Sequence, residues 1–132
     1  MENLRKRFIV EENLEEKKVT EYVERVLPFC KVTKNGAIWL GERPVTNLEK
    51  VKIALVARFL ANRIEQSIPS EITANELSNS LEIPQDQIRA RLKDVRDSKF
   101  AFSSENGKHK VRPSEIGKFL DELERKYGEI KK

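Results

Sequence analysis

The stretch NELSNSLEIPQDQIRARLKDV, residues 75–95, decides the fold of this 132-residue chain. Its apolar residues recur three or four positions apart in two runs, as they do on the buried side of a helix. They are Leu77, Leu81, Ile83, Ile88, Leu92 and Val95. Pro84 separates the runs, because proline cannot continue a helix and is favoured in the first turn of the next one. The stretch therefore predicts two short helices, 74–81 and 85–98, joined by a tight turn.

The polar residues of the second helix fall on two flanks when it is drawn at about 100° per residue. Ile88, Leu92 and Val95 face inward. One flank carries an amide and three cations, which are Gln85, Arg89, Lys93 and Arg96. The neighbouring flank is acidic and consists of Asp86, Asp94 and Asp97.

Two interpretations of these flanks stay open. In the first, the basic flank enters the major groove of DNA, where Gln85 can pair with adenine and Arg89 with guanine. Lys93 and Arg96 then contact phosphates. In the second, the charges form solvated ion pairs, each worth only ~0.2–0.5 kcal/mol. Those pairs would be Asp86–Arg89, Arg91–Asp94 and Lys93–Asp97.

The segment KFAFSSENGKHKVRP, residues 99–113, has the pattern of a strand, a turn at Glu105-Asn106-Gly107 and a second strand. Alternation sends three cations, Lys108, Lys110 and Arg112, to one face of the second strand, opposite His109 and Val111. Three cations on one face favour contact with phosphates. The alternative is an exposed edge strand that its charges protect from aggregation.

Residues 1–12 show little periodicity and are expected to form a loose arm or a frayed helix, and 13–27 has a helical apolar stripe. The segment FCKVTKNGAIWL, residues 29–40, carries the Asn-Gly signal of a tight hairpin turn. In a two-residue type I′ turn, Val32 lies opposite Trp39, and Trp39 is expected to pack against neighbouring helices.

The segment TNLEKVKIALVARFLANRIE, residues 46–65, predicts the central helix of the fold, 48–65. Thr46 and Glu49 have the spacing of a capping box, in which each side chain bonds the other residue's backbone N–H. The apolar residues cover well over half of the circumference and include Val51, Leu55, Phe59 and Ile64.

The order of helices 48–65, 74–81 and 85–98, hairpin 99–112 and helix 114–127 resembles the winged helix-turn-helix superfamily of archaeal and bacterial regulators. The resemblance implies a mostly α fold with two small β-hairpins, in which residues 1–45 form an N-terminal helix–hairpin extension and residues 46–132 form the winged domain. It also implies a transcriptional regulator that binds double-stranded DNA, with helix 85–98 in the major groove and the wing 103–112 on the backbone.

Two residues of the turn depart from that family. Glu82 stands where many members have Gly, so a left-handed conformation there would be mildly strained. Pro84 stands where Ser or Thr usually caps the second helix, and it is expected in the first turn instead. Ser78 and Ser80 are small where the two helices should cross closely.

The resemblance further implies a homodimer through helices 13–27 and/or 114–127, whose apolar stripes exceed what a small core needs. The alternative function is a winged-helix module that binds protein without direct DNA contact, because one fold serves both uses.

Composition and motifs bound the function further. The net charge is only +4 and 36% of the residues are charged. Cys30 is the only cysteine, which fits a reducing cytoplasm, and no apolar run approaches the roughly 20 residues that span a bilayer. No catalytic constellation stands out, and His109 has no second His and no Cys nearby, so a metal site is not expected. The sequence predicts a cytoplasmic protein that is not an enzyme and needs no metal or cofactor, and it specifies no effector.

Overall fold

The structure, a computed structural model, describes residues 2–8, 15–43, 45–104 and 107–128. Within these ranges the helices are α1 (Glu2–Phe8), α2 (Glu16–Val26), α3 (Asn47–Ile64), α4 (Ala74–Leu81), α5 (Gln85–Asp97) and α6 (Pro113–Tyr127). The strands are β1 (Cys30–Val32), β2 (Ile38–Leu40), β3 (Ile72–Thr73), β4 (Ala101–Ser103) and β5 (Lys108–Val111). They form two small antiparallel sheets, β1–β2 and β3–β5–β4. The predicted class, mostly α with two small β elements, is confirmed, and no helix in these ranges is long and apolar enough to cross a bilayer.

Helix α3 lies at the centre of the fold. The predicted capping box of Thr46 and Glu49 is present at its start. From Val51 to Leu60 every residue except Lys52 is buried, because α2, α4, α5, β1, β2 and β5 all pack around this helix. The last helical residue, Ile64, was predicted as part of the apolar stripe but is 66% exposed.

Strand β3 is an element that the sequence does not predict, since two residues are too few to show an alternating pattern. Ile72 pairs with His109 and Thr73 with Lys108. This pairing makes β5 the middle strand of its sheet. The interpretation of the segment as an exposed edge strand protected by its charges is therefore wrong.

The first hairpin has a different register from the predicted one. Val32 pairs with Ile38, and Trp39 pairs with Lys31. The turn is one residue longer than a type I′ turn, because Gly36 has positive φ (92°) while Asn35 does not. The backbone N–H of Gly36 donates to the carbonyl of Thr33 and that of Thr33 donates to Ala37, as in a three-residue hairpin loop closed by a left-handed glycine.

The shift of one residue in the strand register moves the Trp39 side chain to the opposite face of the sheet from the predicted one. Side chains alternate along a strand, so a one-residue slip moves each of them to the other face of the sheet. Cys30 and Ile38 face the core, whereas Trp39 is 66% exposed. The prediction that Trp39 packs against helices is wrong.

A buried arginine, which the sequence analysis did not single out, holds the first hairpin to the rest of the fold. Arg58 lies in the middle of α3 and is 1% exposed. Its guanidinium donates to three backbone carbonyls, those of Gly36 at 3.1 Å, Pro69 at 2.7 Å and Glu71 at 2.8 Å. The hairpin turn and the loop before β3 are therefore fastened to the same side chain.

Helices α2 and α6 pack against each other within one chain. The Arg25 guanidinium donates to Glu124 at 2.8 Å and 2.9 Å and to Asp121 at 2.6 Å. Gly117 allows the close approach, since a Cβ at this position would lie 2.8 Å from the hydroxyl oxygen of Tyr22. Most residues of the two apolar stripes are buried here, namely Tyr22, Val26, Ile116, Phe119, Leu120 and Leu123. The reason given for a homodimer through these stripes is therefore wrong, and dimerisation itself stays a prediction.

One hydrophobic core joins both sides of the predicted domain boundary at 45/46. Val19, Phe29 and Ile38 belong to the same cluster as Leu55 and Leu120. Residues 1–12, predicted as a loose arm or frayed helix, contain the helix α1. The rest of that arm lies largely outside the described residues, as do the first part of the predicted helix 13–27 and the Glu105-Asn106 tip of the predicted wing.

Candidate nucleic-acid interface

Helices α4 and α5 are joined by a turn whose geometry follows from its residues. The Ser78 hydroxyl donates to the carbonyl of Ile83 at 2.6 Å, and the Ser78 carbonyl accepts from the backbone N–H groups of Glu82 and Ile83. Glu82 adopts the left-handed conformation, with φ 58° and ψ 45°, which was expected from the glycine that many members of the resembled family have at this position. Pro84 lies one residue before α5 as its N-cap rather than in the first turn. Ser80 does not serve the crossing of the two helices, because it accepts from the Ile38 backbone in the first hairpin.

The N-terminal ends of α4 and α5 are linked by a chain of polar side chains. A guanidinium nitrogen of Arg89 donates to the Gln85 side-chain oxygen at 2.9 Å. The amide nitrogen of Gln85 donates to the side-chain oxygen of Asn75 at 2.7 Å. Arg89 and Asn75 are exposed and Gln85 is half-buried, so the chain forms a surface of donors and acceptors across both helices.

The C-terminal half of α5 carries ion pairs instead. Lys93 bonds Asp97 at 2.9 Å and Arg91 bonds Asp94 at 2.8 Å. These are two of the three pairs that the solvated-helix interpretation predicts. The third is replaced, since Arg89 bonds Gln85, and Asp86 accepts from the backbone N–H of Gln87.

The basic flank of α5 meets strand β5 at Arg96. A guanidinium nitrogen of Arg96 lies 2.9 Å from Nε2 of His109, and Nδ1 of His109 lies 3.2 Å from the carbonyl of Gly107. Arg96 can only donate, so Nε2 accepts and Nδ1 carries the proton that bonds Gly107. Burial and the neighbouring charge of Arg96 hold the pKa of His109 below its usual value. The imidazole is therefore a neutral link between α5 and β5.

The predicted alternation along β5 is confirmed, because His109 and Val111 are buried whereas Lys108 is exposed and Lys110 and Arg112 are half-buried. The cations do not point toward the Arg96 contact. The ammonium of Lys110 lies 5.7 Å from the ring centre of Phe59, and the guanidinium of Arg112 lies 5.7 Å from that of Phe102.

The structure brings some of the predicted contact residues together and separates others. Lys108 lies opposite Thr73, the N-cap of α4, two residues from the start of the chain formed by Asn75, Gln85 and Arg89. Lys110 and Arg112 lie on the other side of β5 from the residue that Arg96 contacts, and Lys93 is paired with Asp97. Asn75 was missed; its signal is its place inside the capping box, between Thr73 and Glu76, where a helix N-terminus is exposed.

Other candidate chemistry does not assemble. Among the described residues no three His, Cys, Asp or Glu side chains are close enough together to hold a metal ion. Cys30 is 4% exposed, and its burial raises the pKa of the thiol to about 12. The thiolate that a nucleophile requires is therefore strongly disfavoured at neutral pH.

Comparisons of the chain with family models, curated proteins and solved structures gave no match.

Proposed function

We propose that this chain is a winged helix-turn-helix protein that binds double-stranded DNA and regulates transcription. The order α3, β3, α4, α5, β4, β5 and α6 agrees with the elements on which the resemblance rests. Pairing with β3 on one side and β4 on the other holds β5 in place as the strand that follows the wing turn. This support concerns the scaffold, and the function is argued from the surface residues.

The observation that carries the proposal is the hydrogen-bonded chain of Asn75, Gln85 and Arg89, with Lys108 paired in the sheet with Thr73, the N-cap of α4. Amide and guanidinium groups are the side chains that pair with base edges in a major groove, and recognition helices contact bases with their N-terminal residues. Gln85 is the first residue of α5 and Arg89 lies one turn later. Gln85 and Arg89 are therefore assigned to base edges, and Asn75 orients Gln85.

Cations around this chain are assigned to the phosphates. Lys108 is exposed and forms no ion pair with the residues that the structure describes. It is therefore the residue that we assign most directly to a phosphate. Lys93 can exchange its pair with Asp97 for a phosphate, since both side chains are about two-thirds exposed and such a pair is worth only ~0.3–0.5 kcal/mol. Arg96 acts as a positioning residue that holds the wing through His109. Lys110 and Arg112 contribute at most to the long-range field.

The acidic flank favours the second candidate, a module that binds protein. Asp86, Asp94 and Asp97 are all exposed on α5, and carboxylates that face DNA repel it. A basic partner surface would contact this flank without involving the chain of Asn75, Gln85 and Arg89. DNA remains the favoured ligand, because Asp94 is already paired with Arg91, and Asp94 and Asp97 lie at the opposite end of α5 from Gln85 and Arg89.

The test is an anisotropy titration of a labelled random duplex at several salt concentrations. Each lost phosphate contact should reduce the slope of log K against log salt by about 0.9, so Lys108→Ala should lower it by about one. Arg89→Ala should reduce preference for selected sequences over random duplex, at ~1–3 kcal/mol for a base contact. Lys118→Ala is the matched control, because Lys118 lies on α6 with a side chain that is 76% exposed.

Duplex affinity that is the same in wild type and in an Arg89→Ala, Lys93→Ala, Lys108→Ala triple variant would contradict this interface. The absence of any duplex binding at tens of micromolar protein in low salt would favour the protein-binding module instead. Sedimentation of the protein with and without duplex measures the predicted homodimer separately, so the stoichiometry does not decide the interface.

A further inference from the structure

The first hairpin carries an exposed tryptophan that the fold does not use. Trp39 projects from the outer face of the β1–β2 sheet and is 66% exposed, while its neighbours along β2 face the core or its edge. In the described part of the chain no aromatic ring or cation lies against the indole. About two-thirds of the largest aromatic side chain is thus left exposed on a solvent-facing surface.

Two basic residues lie in the same hairpin as this tryptophan. Lys31 is its partner in the strand pairing, and partner side chains on one face of a sheet have Cβ atoms about 4.5–5.5 Å apart. Lys34 is exposed in the turn. Residues 26–41 contain these two lysines and no Asp or Glu, although acidic residues number 22 in the chain of 132. The charge that the hairpin itself carries therefore favours an anionic ligand.

The hairpin is held rigidly enough to present this surface. The Ile38 backbone N–H donates to the Ser80 hydroxyl at 3.2 Å, and the Gly36 carbonyl accepts from Arg58 at 3.1 Å. Cys30 and Ile38 anchor the other face of the sheet in the core. A platform that is already ordered loses little conformational freedom when a ligand stacks on it.

We propose that Lys31, Lys34 and Trp39, named here the Trp39 face, form a second nucleic-acid site that binds a single strand. An unpaired base stacks on the indole, and the two lysines contact the phosphates of the same strand. Aromatic rings combined with backbone-tracking cations are how proteins hold single strands without reading their sequence. A duplex is the poorer ligand, because its base faces are already stacked on each other and two lysines supply few phosphate contacts.

The test uses the fact that Trp39 is the only tryptophan of the chain. Intrinsic fluorescence of the full-length protein is followed while a short oligothymidylate is added at low salt, and the expected result is saturable quenching that weakens as salt rises. Each lysine changed to Ala should lower the salt slope by about 0.7, the value for single strands. Oligouridylate compared with oligodeoxyuridylate, which differ only in the 2′-hydroxyl, shows whether the strand is RNA or DNA.

A labelled oligonucleotide measures the variants that lack the fluorophore. Trp39→Ser should weaken binding roughly 5- to 100-fold, as expected for the loss of one stacked base, and Trp39→Phe should recover part of it. Phe102→Ser is the matched control, because Phe102 is another exposed aromatic side chain but lies on β4, in the other sheet. Circular dichroism on each variant shows that the fold is retained.

Three results would overturn the proposal: unchanged tryptophan emission at saturating oligonucleotide, equal affinity of Trp39→Ser and wild type, or equal quenching by duplex and single strand. None of them bears on the interface around Arg89. Conversely, an Arg89→Ala, Lys108→Ala variant that loses duplex binding but keeps the quenching separates the two sites.

Discussion

Replacing Arg58 by Met should destabilise the fold far more than any other single charge removal on α3. The side chain is 1% exposed and its guanidinium bonds three backbone carbonyls. Methionine has a comparable apolar volume, so the change removes the donors with little loss of packing. Each carbonyl of Gly36, Pro69 and Glu71 then loses its charged donor.

The magnitude follows from these contacts. A buried acceptor without its partner costs about 1–3 kcal/mol, and three of them would set an upper bound of roughly 9 kcal/mol. The loss of the costly burial of the guanidinium and the entry of water offset part of this, so the expected destabilisation is about 3–5 kcal/mol. The ion pair with Glu76 adds little, since its atoms are 3.5 Å apart and the Glu76 side chain is 46% exposed.

Urea unfolding followed by far-ultraviolet circular dichroism measures this free energy. Arg58→Lys should recover only part of it, because a single ammonium cannot span the three carbonyls. Glu76→Gln keeps the capping box with Thr73 and should cost less than about 1 kcal/mol. Arg91→Met is the surface control. A loss below about 1 kcal/mol in Arg58→Met, with an unchanged denaturant slope, would refute the assignment of Arg58 as the clamp of the hairpin.

The remaining predictions concern the same free energy of unfolding. Glu82→Gly should raise it by about 0.5–1 kcal/mol, because glycine adopts the left-handed conformation of that turn without strain; a loss would contradict this account. Gly117→Ala alone should be destabilising, because the new Cβ would lie 2.8 Å from the hydroxyl oxygen of Tyr22. In a Tyr22→Phe background the same change should be stabilising by roughly 0.5–1 kcal/mol. Additive effects of the two changes in a double-mutant cycle would refute the clash. Burial alone would raise the pKa of Glu49, but hydrogen bonds, chiefly from Lys126, outweigh it and lower the pKa from 4.5 to about 2. Because the pKa of Glu49 is lower in the folded state, its stabilisation is present above pH 4.5 and is lost as pH falls toward 2. Screening around the half-exposed Lys126 limits this stabilisation to about 1–2 kcal/mol. Glu49→Gln should therefore make the free energy of unfolding fall less steeply with decreasing pH in this range.

Helices were predictable because their signals are local. Apolar spacing and the capping boxes at Thr46 and Thr73 placed α3 and α4 within a residue of where they lie. The left-handed conformation of Glu82 was expected from the resemblance, in which many family members have Gly at that position. These features depend on residues within a few positions of one another.

Register was not predictable because it depends on distant residues. Asn35-Gly36 is compatible with a two-residue turn and with a three-residue loop that ends in a left-handed glycine. The choice is fixed by contacts far along the chain, the bond from Arg58 to Gly36 and the bond from Ile38 to Ser80. The sequence around the hairpin predicts neither of these hydrogen bonds. The resulting one-residue difference in strand register places Trp39 on the surface instead of in the core.

On α5, too, the sequence predicts the direction of a side chain but not the distant residue that it contacts. A helical projection gives the direction of Arg96 but not the buried His109 that it meets on β5. That contact, and the pairing of Lys93 with Asp97, both concern the C-terminal half of α5. The N-terminal half, where Gln85 and Arg89 lie, keeps its exposed donors and acceptors. Recognition helices contact bases mainly with their N-terminal residues. The contacts of Lys93 and Arg96 therefore do not involve Gln85 and Arg89, the two residues on which the proposal of DNA binding depends.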